Sequence, residues 1–312
     1  SPIRRFAMES GLKGIPVDVV EFRGNLYVAT TMGVYLQQFD DRGFPYFSKL
    51  EHINNQARDF LVFNVPGRNE KRLIVGTHQG IYDVSDPADI RELYRSNDQQ
   101  LYKTNDLVQS SYHPNRLYAG LTSGLAVFEY SADGRWRHVG QDKDVEANIA
   151  HLAEENDSTL WAGSEINGII KLVFRRGESL RDEQGHLKGL TSVQYDTSKG
   201  LPSMNFNKLI KANDKIYFFT TSGFYRYHRE NDAFIKDALF GGRYSGKHVR
   251  FFHKVNDGEY WVIYSVEDSE GERIEKVLTR NDSVRFLDMP FKRIGNANYQ
   301  KIHTAGKHIW FT

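Results

Sequence analysis

The chain has 312 residues, and its 41 Lys and Arg nearly balance its 40 Asp and Glu, so the formal net charge is +1. This balance argues against a protein that binds nucleic acid through a basic face. The absence of cysteine excludes disulfide bonds, thiolate metal sites and cysteine nucleophiles. The sequence also contains no apolar run near the roughly 20 residues that a membrane-spanning helix requires.

A short apolar strand recurs seven times along the chain, and a second strand led by glycine usually follows it. The copies are 43 to 56 residues apart and begin at Leu26, Leu73, Leu117, Leu160, Ile216, Tyr260 and Ile309. A period near 45 residues with strand-like content is typical of a β-propeller, in which each repeat forms one blade. We therefore expect a single all-β domain over residues 1–312, a seven-bladed β-propeller with four-stranded antiparallel blades.

Each repeat divides into four predicted strands. The first alternates apolar and polar residues, as in residues 17–22 and 58–63, and a turn rich in Gly, Asn, Asp or Pro follows it. The second is the repeated segment, and a tight turn leads to the third. The fourth is more polar, which suits the outer edge of a blade.

The two ends of the sequence predict how the ring closes. Residues 3–7 have the character of a fourth strand and precede the first full repeat. We expect them to complete the last blade beside residues 299–303 and 309–312, because closure removes exposed sheet edges. The last copy stops at Thr312, where its Gly-led strand should begin, so we interpret the sequence as a fragment of a longer protein with an incomplete last blade.

The longest step between copies contains an insertion at residues 175–190, which reads RRGESLRDEQGHLKGL. It is charged and interrupted by glycine, so a solvated loop or hairpin extension explains it. A lid or a contact with a partner is the alternative.

Residues 200–207 read GLPSMNFN and are followed by KLIKANDKIYFFTTSGFYRY. This stretch resembles the repeat of the two-component regulator propeller family, in which GLPSN, an apolar strand, LWIGT and GLYRY follow one another. The segments LYVATTMGVY from Leu26 and RLIVGTHQGIY from Arg72 fit the same pattern. The resemblance covers nearly the whole chain, but the sixth copy has RIEKVLT in place of the Gly-led third strand.

The resemblance implies a non-catalytic, periplasmic or extracytoplasmic sensor domain of a membrane-bound signalling regulator. In that family the propeller is followed by a three-tyrosine immunoglobulin-like domain, a membrane helix and a kinase, cyclase or DNA-binding output. The family's best-known members sense oligosaccharides. A homodimer and a downstream immunoglobulin-like domain are therefore the implied partners, and any contact with the membrane would come through parts beyond this sequence.

One segment matches a phosphate-binding loop in part. Residues 241–247 read GGRYSGK and fit G-x-x-x-x-G-K, but His248 occupies the place of the Ser or Thr that binds magnesium. A predicted strand follows, whereas a phosphate loop must lead into a helix. We interpret the segment as a loop that connects two blades.

Other catalytic and metal-binding patterns are weaker. His303 and His308 flank a predicted turn, but no third metal ligand is evident. Paired carboxylates can cleave glycosidic bonds, yet a solvated turn explains the acidic cluster of Glu154, Glu155 and Asp157 better. We expect no catalytic residue, no metal and no cofactor.

Propeller ligands usually bind at one mouth of the central channel, where the innermost strands start and the second strand turns into the third. Asparagine recurs just before or at these starts, and the adjoining turns are polar. Asparagine suits a neutral polar ligand such as a sugar, or it satisfies backbone groups at the turn. Phe206 and Tyr299 are candidate stacking platforms, or they pack between blades. The predicted mouth residues are Asn55, Asn105, Asn148, Asn205, Asn207, Asn298, His78, Gln79, Thr122, Ser123, Glu165, Asn167, Thr221 and Ser222.

Three functions remain open on this basis. The first is a sensor propeller that binds a small polar ligand such as an oligosaccharide. The second is a scaffold for dimerisation or protein interaction, and the third is a hydrolase or lyase acting on polysaccharide. The family resemblance and the missing catalytic pattern favour the first.

Overall fold

The computed structural model describes residues 6, 8–95, 103–142, 145–177, 180–182, 186–212, 214–265, 271–280, 283–288, 301–305 and 308–312. These residues form six four-stranded antiparallel sheets and one two-stranded hairpin. In each four-stranded sheet the strands pair in sequence order, so every blade is a meander. The all-β propeller with four-stranded antiparallel blades is confirmed.

The first three blades have the following strands. Blade 1 contains β1 (Pro16–Phe22), β2 (Asn25–Thr30), β3 (Gly33–Phe39) and β4 (Pro45–Lys49); blade 2 contains β5 (Ala57–Asn64), β6 (Lys71–Thr77), β7 (Gly80–Asp83) and β8 (Arg91–Arg95); blade 3 contains β9 (Thr104–Gln109), β10 (Arg116–Leu121), β11 (Gly124–Tyr130) and β12 (Trp136–Asp142).

The remaining strands complete the ring. Blade 4 contains β13 (Ile149–Asn156), β14 (Thr159–Ser164), β15 (Ile169–Phe174) and β16 (Leu190–Tyr195); blade 5 contains β17 (Lys208–Ala212), β18 (Lys215–Thr220), β19 (Gly223–His228) and β20 (Ala233–Lys236); blade 6 contains β21 (His248–Asn256), β22 (Glu259–Ser265), β23 (Glu272–Arg280) and β24 (Ser283–Leu287); the hairpin contains β25 (Ile302–Ala305) and β26 (His308–Phe311). Short 3-10 helices cover Met8–Ser10, Thr197–Lys199 and Leu239–Gly242.

The prediction of seven blades is wrong, because the described residues form six. The first six copies of the repeat each form a blade, including the sixth, where β23 supplies the third strand without a leading glycine. Among the described residues the seventh copy forms only the hairpin β25–β26, since a blade needs two further strands that this copy does not supply. The proposed closing strand at residues 3–7 lies outside the described residues except for Phe6.

The hairpin lies between the sixth and the first blade. The innermost strands contact one another in the order β1, β5, β9, β13, β17 and β21, and β25 contacts β1. Ile302 and Phe311 of the hairpin pack against Trp261 and Ile263 of blade 6. On the other side Phe6 stands 5.3 Å from Phe47 of blade 1 and 6.4 Å from Trp310 of the hairpin, measured between ring centroids.

The hydrophobic core lies between blades, because both faces of each twisted sheet meet a neighbouring sheet. Tyr27 and Ala29 of blade 1 share one cluster with Leu73 and Val75 of blade 2. Between blades 4 and 5 the core is aromatic, with Trp161 in edge-to-face contact with Phe218 at 5.4 Å. Such pairs add about 0.5–1.5 kcal/mol beyond the area they bury.

The insertion at residues 175–190 folds back on blade 3. Arg181 forms an isolated bridge with Leu187, and its guanidinium donates to the carbonyl of His138 at 3.1 Å. Leu180 and Leu187 pack against the cluster between blades 3 and 4. The described part of the insertion therefore has an apolar anchor and is not solvated throughout. No helix in the described ranges is long and apolar enough to cross a membrane.

Candidate functional site

One register position recurs on every innermost strand. In the first six blades, the residue at this position is the one that pairs with the same place on the second strand. The paired second-strand residues are, in blade order, Ala29, Gly76, Gly120, Gly163, Phe219 and Ile263. In the hairpin Lys301 takes this place, because its carbonyl accepts from Thr312 N at 3.1 Å. We call these residues the axial ring: Asp18, Asp59, Asp106, His151, Lys208, Phe251 and Lys301.

The three aspartates of the axial ring connect neighbouring blades. In each case the Oδ2 atom accepts a hydrogen bond from a backbone N–H of the next innermost strand. The pairs are Asp18 with Phe60 at 2.9 Å, Asp59 with Leu107 at 2.9 Å, and Asp106 with Leu152 at 2.7 Å. Blades 1 to 4 are therefore joined at the axis by polar contacts as well as by the core between them.

Lys301 supplies the positive charge for this cluster. Its Nζ donates to Asp18 Oδ2 at 2.7 Å and also to Asp59 Oδ1. Burial disfavours the ammonium ion, but the two carboxylate charges outweigh this, so the pKa of Lys301 is raised above its usual value. One lysine near the end of the chain thus links the first two blades to the hairpin.

Burial changes the protonation of the other ring members. It raises the pKa of Asp106 to about 8, with a further contribution from the charge of Asp59. It also raises the pKa of Asp59 to about 6, although Lys301 opposes the shift. Burial and the charges of nearby cations hold the pKa of His151 well below its usual value. Near neutral pH Asp106 is therefore largely protonated and His151 is neutral.

The described residues of the predicted mouth lie in turns after second strands or at the starts of innermost strands. Backbone hydrogen bonds join the turn after a second strand to the segment before an innermost strand, as between His78 N and Gln56 O at 2.9 Å. Thr122 N donates to Lys103 O at 3.0 Å in the same way. We call this side the mouth face. Asn298 and Tyr299 lie outside the described residues, so their placement as mouth residues stays a prediction.

Several of the predicted asparagines bind one another or the nearby backbone. Asn105 Nδ2 donates to Asn148 Oδ1 at 2.8 Å and to Ile149 O at 2.9 Å. Asn55 Nδ2 is 3.4 Å from Gln79 Oε1 in blade 2. The Asn105 contacts join blades 3 and 4 and satisfy a backbone carbonyl, whereas the Asn55–Gln79 contact lies within blade 2. The structure brings them together in pairs and does not gather all of them at one point.

Other mouth residues are also held locally. Asn167 Oδ1 accepts from Ser164 Oγ at 3.1 Å, and Thr122 Oγ1 is 3.3 Å from Lys103 O. The backbone carbonyl of Ser123 accepts from Gln141 Nε2 at 3.2 Å. The remaining predicted residues include Asn205, which is exposed, with Thr221 and Ser222, which are half-buried.

Phe206 differs from these residues because its side chain is presented to solvent. It is 46% exposed, so it is not enclosed between blades, and its backbone has a positive φ of 56°. Its N–H donates to Glu165 O at 3.0 Å, next to Ile166, which is 64% exposed. The ring centroid of Phe206 is 5.8 Å from that of His248. A non-glycine residue at positive φ costs about 1–2 kcal/mol, and such strain is concentrated at functional sites.

Polar groups surround this exposed ring. Asn207 is 1% exposed; its Nδ2 donates to Ser203 O at 2.9 Å, and its Oδ1 is buried without a partner among the described residues. Lys208 Nζ donates to Arg250 O at 3.1 Å. We call this part of the mouth face the Phe206 sector, formed by Ile166, Phe206, Asn207, Lys208 and His248.

The segment that resembles a phosphate loop connects blades 5 and 6, as expected. Arg243 within it donates to both oxygens of Glu275 through Nε at 2.9 Å and Nη2 at 2.6 Å. Tyr244 Oη and Tyr264 Oη each donate to the same carboxylate at 2.9 Å. The hydrogen bonds from these three side chains outweigh burial and lower the pKa of Glu275. The loop is thus anchored by its side chains.

The interpretation of the acidic cluster as a solvated turn is wrong for Glu154 and Glu155, which lie on β13, and holds only for Asp157, which lies in the turn after it. Glu154 is 3% exposed, and its Oε2 accepts from Ser111 N at 2.7 Å. Glu155 accepts from Trp161 Nε1 at 2.8 Å, and Asp157 pairs with Arg176 at 2.6 Å. The three carboxylates therefore serve separate contacts. No group of His, Cys, Asp or Glu in the part of the chain that the structure describes is arranged to hold a metal ion.

The axial ring was not predicted, although the sequence contains a signal for it. An aspartate stands at the same place in three otherwise apolar strands, in VDV at Asp18, RDF at Asp59 and NDL at Asp106. A charged residue that recurs in a strand buried between blades needs a partner. The partner lysine belongs to another copy of the repeat, so local pattern alone does not identify it.

Comparison with known proteins supports the architecture. No family model matches the sequence, and no curated protein sequence matches it. The extracellular domain of BT4673 from B. thetaiotaomicron, a protein described as a one-component or hybrid two-component system, has a similar structure. One such structure has a TM-score of 0.55 at 14% identity, with 95% of this chain and 46% of that chain covered. The likeness shows a β-propeller. This chain spans about half the length of that domain.

Propeller enzymes are similar to the same degree. Virginiamycin B lyase from Staphylococcus aureus has a TM-score of 0.57 at 13% identity, with 95% of this chain and 90% of that chain covered. A streptogramin B lyase has a TM-score of 0.58 at 13% identity, with coverage of 95% and 89%. At these identities the likeness concerns the fold alone.

Proposed function

We propose that this propeller is the extracytoplasmic sensor domain of a membrane-bound signalling regulator and binds a small polar ligand, such as an oligosaccharide, at its mouth face. The observation that carries the proposal is Phe206, an exposed aromatic ring held at positive φ beside buried polar groups. Ligand sites combine apolar or aromatic surfaces with a few fixed hydrogen-bonding groups. A sugar ring offers an apolar face for Phe206 and hydroxyls for the amides around it.

The signalling role is supported by two independent likenesses. The GLPSMNFN segment that contains Phe206 resembles the regulator propeller repeat. BT4673, whose extracellular domain has a similar structure, is described as a one-component or hybrid two-component system. In this proposal an immunoglobulin-like domain and a membrane helix follow the propeller in the full-length protein, and two copies associate when signalling.

The pairing and protonation of the axial carboxylates support a role in ligand binding without catalysis. Asp18 and Asp59 are paired with Lys301, and each also accepts a backbone N–H from the next blade. Asp106 is largely protonated near neutral pH because burial raises its pKa to about 8. Carboxylates held in this way join blades, and any use in catalysis would break those contacts.

A lyase is the second candidate, because the lyase structures are covered over nearly their whole length. In that case His151 is the candidate base, since its low pKa keeps the imidazole neutral in the axial ring. A polysaccharide would then be shortened on incubation with the protein, and His151→Ala would abolish the reaction.

Binding and catalysis are separated by screening oligosaccharides for a shift in melting temperature and then analysing each stabilising sugar by mass spectrometry. We expect at least one sugar to raise the melting temperature and to be recovered unchanged. Cleavage or elimination of that sugar would support the lyase instead. If no sugar stabilises the protein, while ultracentrifugation shows a stable dimer, the interaction scaffold replaces both.

A further inference from the structure

We propose that a charged cavity between blades 1 and 2 is a second binding site, which takes a small α-amino acid. The cavity has a volume of about 200 Å³, and we call it the seam cavity. It lies where β1 turns into β2 and where β7 leads into β8. Consecutive strands of a meander turn at alternate ends, so the seam cavity is at the opposite end of the strands from the mouth-face turns. The site therefore goes beyond the proposed function and does not depend on it.

Two groups of ion pairs form most of the cavity wall. Arg72 on β6 pairs with Glu70 at 2.9 Å and with Asp83, at the end of β7, at 3.0 Å. Arg91, at the start of β8, pairs with Asp89 at 2.5 Å. Two arginines against three carboxylates leave one excess negative charge. All five side chains already have a partner of opposite charge within the wall.

Arg23 and Asp86 line the same cavity, and neither has an ion-pair partner in the part of the chain that the structure describes. Arg23 Nη2 donates to the carbonyl of Lys71 at 3.0 Å, across the boundary between blades 1 and 2. Its Nη1 is 3.5 Å from the carbonyl of Ser85, the residue directly before Asp86. The Asp86 carboxylate accepts from the N–H of Ala88 at 2.9 Å. Backbone contacts thus hold a guanidinium and a carboxylate on one cavity, beyond ion-pair distance of each other.

The complete charge balance of the seam cavity favours a dipolar ligand. Three arginines and four carboxylates line it, so the wall has one excess negative charge. Such a wall repels a free anion, whereas a zwitterion adds no net charge. An α-amino acid bears its ammonium and its carboxylate on one carbon atom, so it can pair with Asp86 and Arg23 at the same time. Hydrogen bonds between charged groups are the strong ones, and the arginine fork suits a carboxylate.

The size and the lining of the cavity restrict the side chain of this amino acid. A water molecule occupies about 30 Å³ of liquid, so about 200 Å³ accepts a ligand of about seven non-hydrogen atoms. Glycine, alanine and serine meet this limit, whereas phenylalanine exceeds it. The lining residues are charged except for Ser85, which is polar, so a short polar side chain is favoured over an apolar one.

The backbone of Arg23 gives independent support. Arg23 has a φ of 51°, and Gly24 follows with a φ of 78°. Two-residue hairpin turns in which both φ angles are positive favour Asn, Asp or Gly at the first position. The turn alone therefore does not explain an arginine here. Its guanidinium, which joins two blades and borders the cavity, does.

The test is calorimetry with glycine, L-serine and two probes that each lack one charged group of serine. Ethanolamine lacks the carboxylate, and 3-hydroxypropionate lacks the ammonium. We expect L-serine to bind at least about tenfold more tightly than either of these two probes, and its affinity to fall as NaCl is added. Arg23→Gln and Asp86→Asn should each weaken the binding of L-serine by about tenfold. L-phenylalanine should not bind.

Arg42→Gln and Asp41→Asn are the matched controls, since both residues are exposed in the turn between β3 and β4. Circular dichroism establishes that each variant is folded, and the comparison of probes on the wild type needs no variant. If ethanolamine or 3-hydroxypropionate binds as tightly as L-serine, the site recognises a single charge and the inference is wrong. It is also wrong if neither glycine nor L-serine binds. These results leave the proposed function intact, because the sugar screen tests the mouth face separately.

Discussion

The Nζ atom of Lys301 is 2.7 Å from Oδ2 of Asp18, although 283 positions separate the two residues in the sequence. Lys301 precedes the final hairpin, and Asp18 lies on the innermost strand of the first blade. Thr312 Oγ1, at the end of the chain, also donates to the carbonyl of Val17 at 3.2 Å. The ring is therefore closed near its axis by direct contacts between the last described residues and the first blade.

Asp18→Ala tests the importance of this contact. The substitution removes the acceptor for Lys301 and for the N–H groups of Phe60 and Val19. We expect the free energy of unfolding to fall by about 2–4 kcal/mol, because the remaining partners stay buried. Urea unfolding measures the change, and Asp41→Ala, in an exposed turn, is the control. Equal effects of the two substitutions would show that the contact contributes little.

Because burial raises the pKa of Asp106, we expect this residue to make the stability of the protein depend on pH. Its pKa is about 8 in the folded protein and about 4 in an unfolded chain, so the folded state binds the proton more tightly. This contribution is complete below about pH 4 and is lost as the pH rises toward 8. Asp106→Asn removes the titration and keeps an oxygen for the N–H of Leu152.

The free energy of unfolding of Asp106→Asn minus that of the wild type should therefore rise by more than about 1 kcal/mol from about pH 5 to about pH 8.5. Urea unfolding at the two pH values measures this difference. Asp41→Asn should show no such trend. A difference for Asp106→Asn that stays constant with pH would contradict the burial argument.

The blades follow from the sequence because a hairpin is specified locally by alternation and turn residues. The number of blades does not follow from the sequence, because each copy of the repeat is recognised from its second strand alone. The seventh copy contains that strand but supplies only two strands to the described structure. The contacts within the axial ring could not be predicted from the sequence either. The loops that separate Asp18, Asp59 and Lys301 differ in length, so their meeting depends on the closed ring.

The ligand site at the mouth stays a prediction, and the contacts of its residues could not be read from the sequence. Asn105 and Asn148 were chosen because turns favour asparagine, but their mutual hydrogen bond requires two blades to pack. Phe206 is exposed and has a positive φ, and no sequence pattern indicates either property for this phenylalanine.

Gly200 ends the 3-10 helix at Thr197–Lys199 with a φ of 88°. A Cβ added there would stand 2.1 Å from the carbonyl oxygen of Phe234, so Gly200→Ala forces the backbone of blade 5 to move. Gly24 has a similar φ of 78° but nothing within 4 Å of such a Cβ.

We expect Gly24→Ala to lower the free energy of unfolding by about 1 kcal/mol because of its φ alone. Gly200→Ala should lower it by at least about 2 kcal/mol more. Thermal unfolding of the two variants measures the difference. If both lose the same stability, the close approach to Phe234 is not what requires glycine at this position.

Glu275 holds the connection between blades 5 and 6. Glu275→Gln replaces one accepting oxygen by an NH₂ group that faces donors from Arg243, Tyr244 and Tyr264. We expect a loss of about 1–3 kcal/mol, measured by urea unfolding, with the exposed Glu51→Gln as control. Because the pKa of Glu275 is lowered, its stabilising contribution should disappear as the pH falls below the ordinary glutamate value. A loss that persists unchanged at low pH would contradict this role.

The most direct test of the account is calorimetry of Phe206→Ala with the sugar that most stabilises the wild type. Phe39→Ala is the matched control, since Phe39 is a 63% exposed phenylalanine at the end of β3 in blade 1. We predict that Phe206→Ala weakens binding by at least about tenfold without loss of fold, while Phe39→Ala binds like wild type. Unchanged affinity in Phe206→Ala would contradict the assignment of the ligand site to the mouth face.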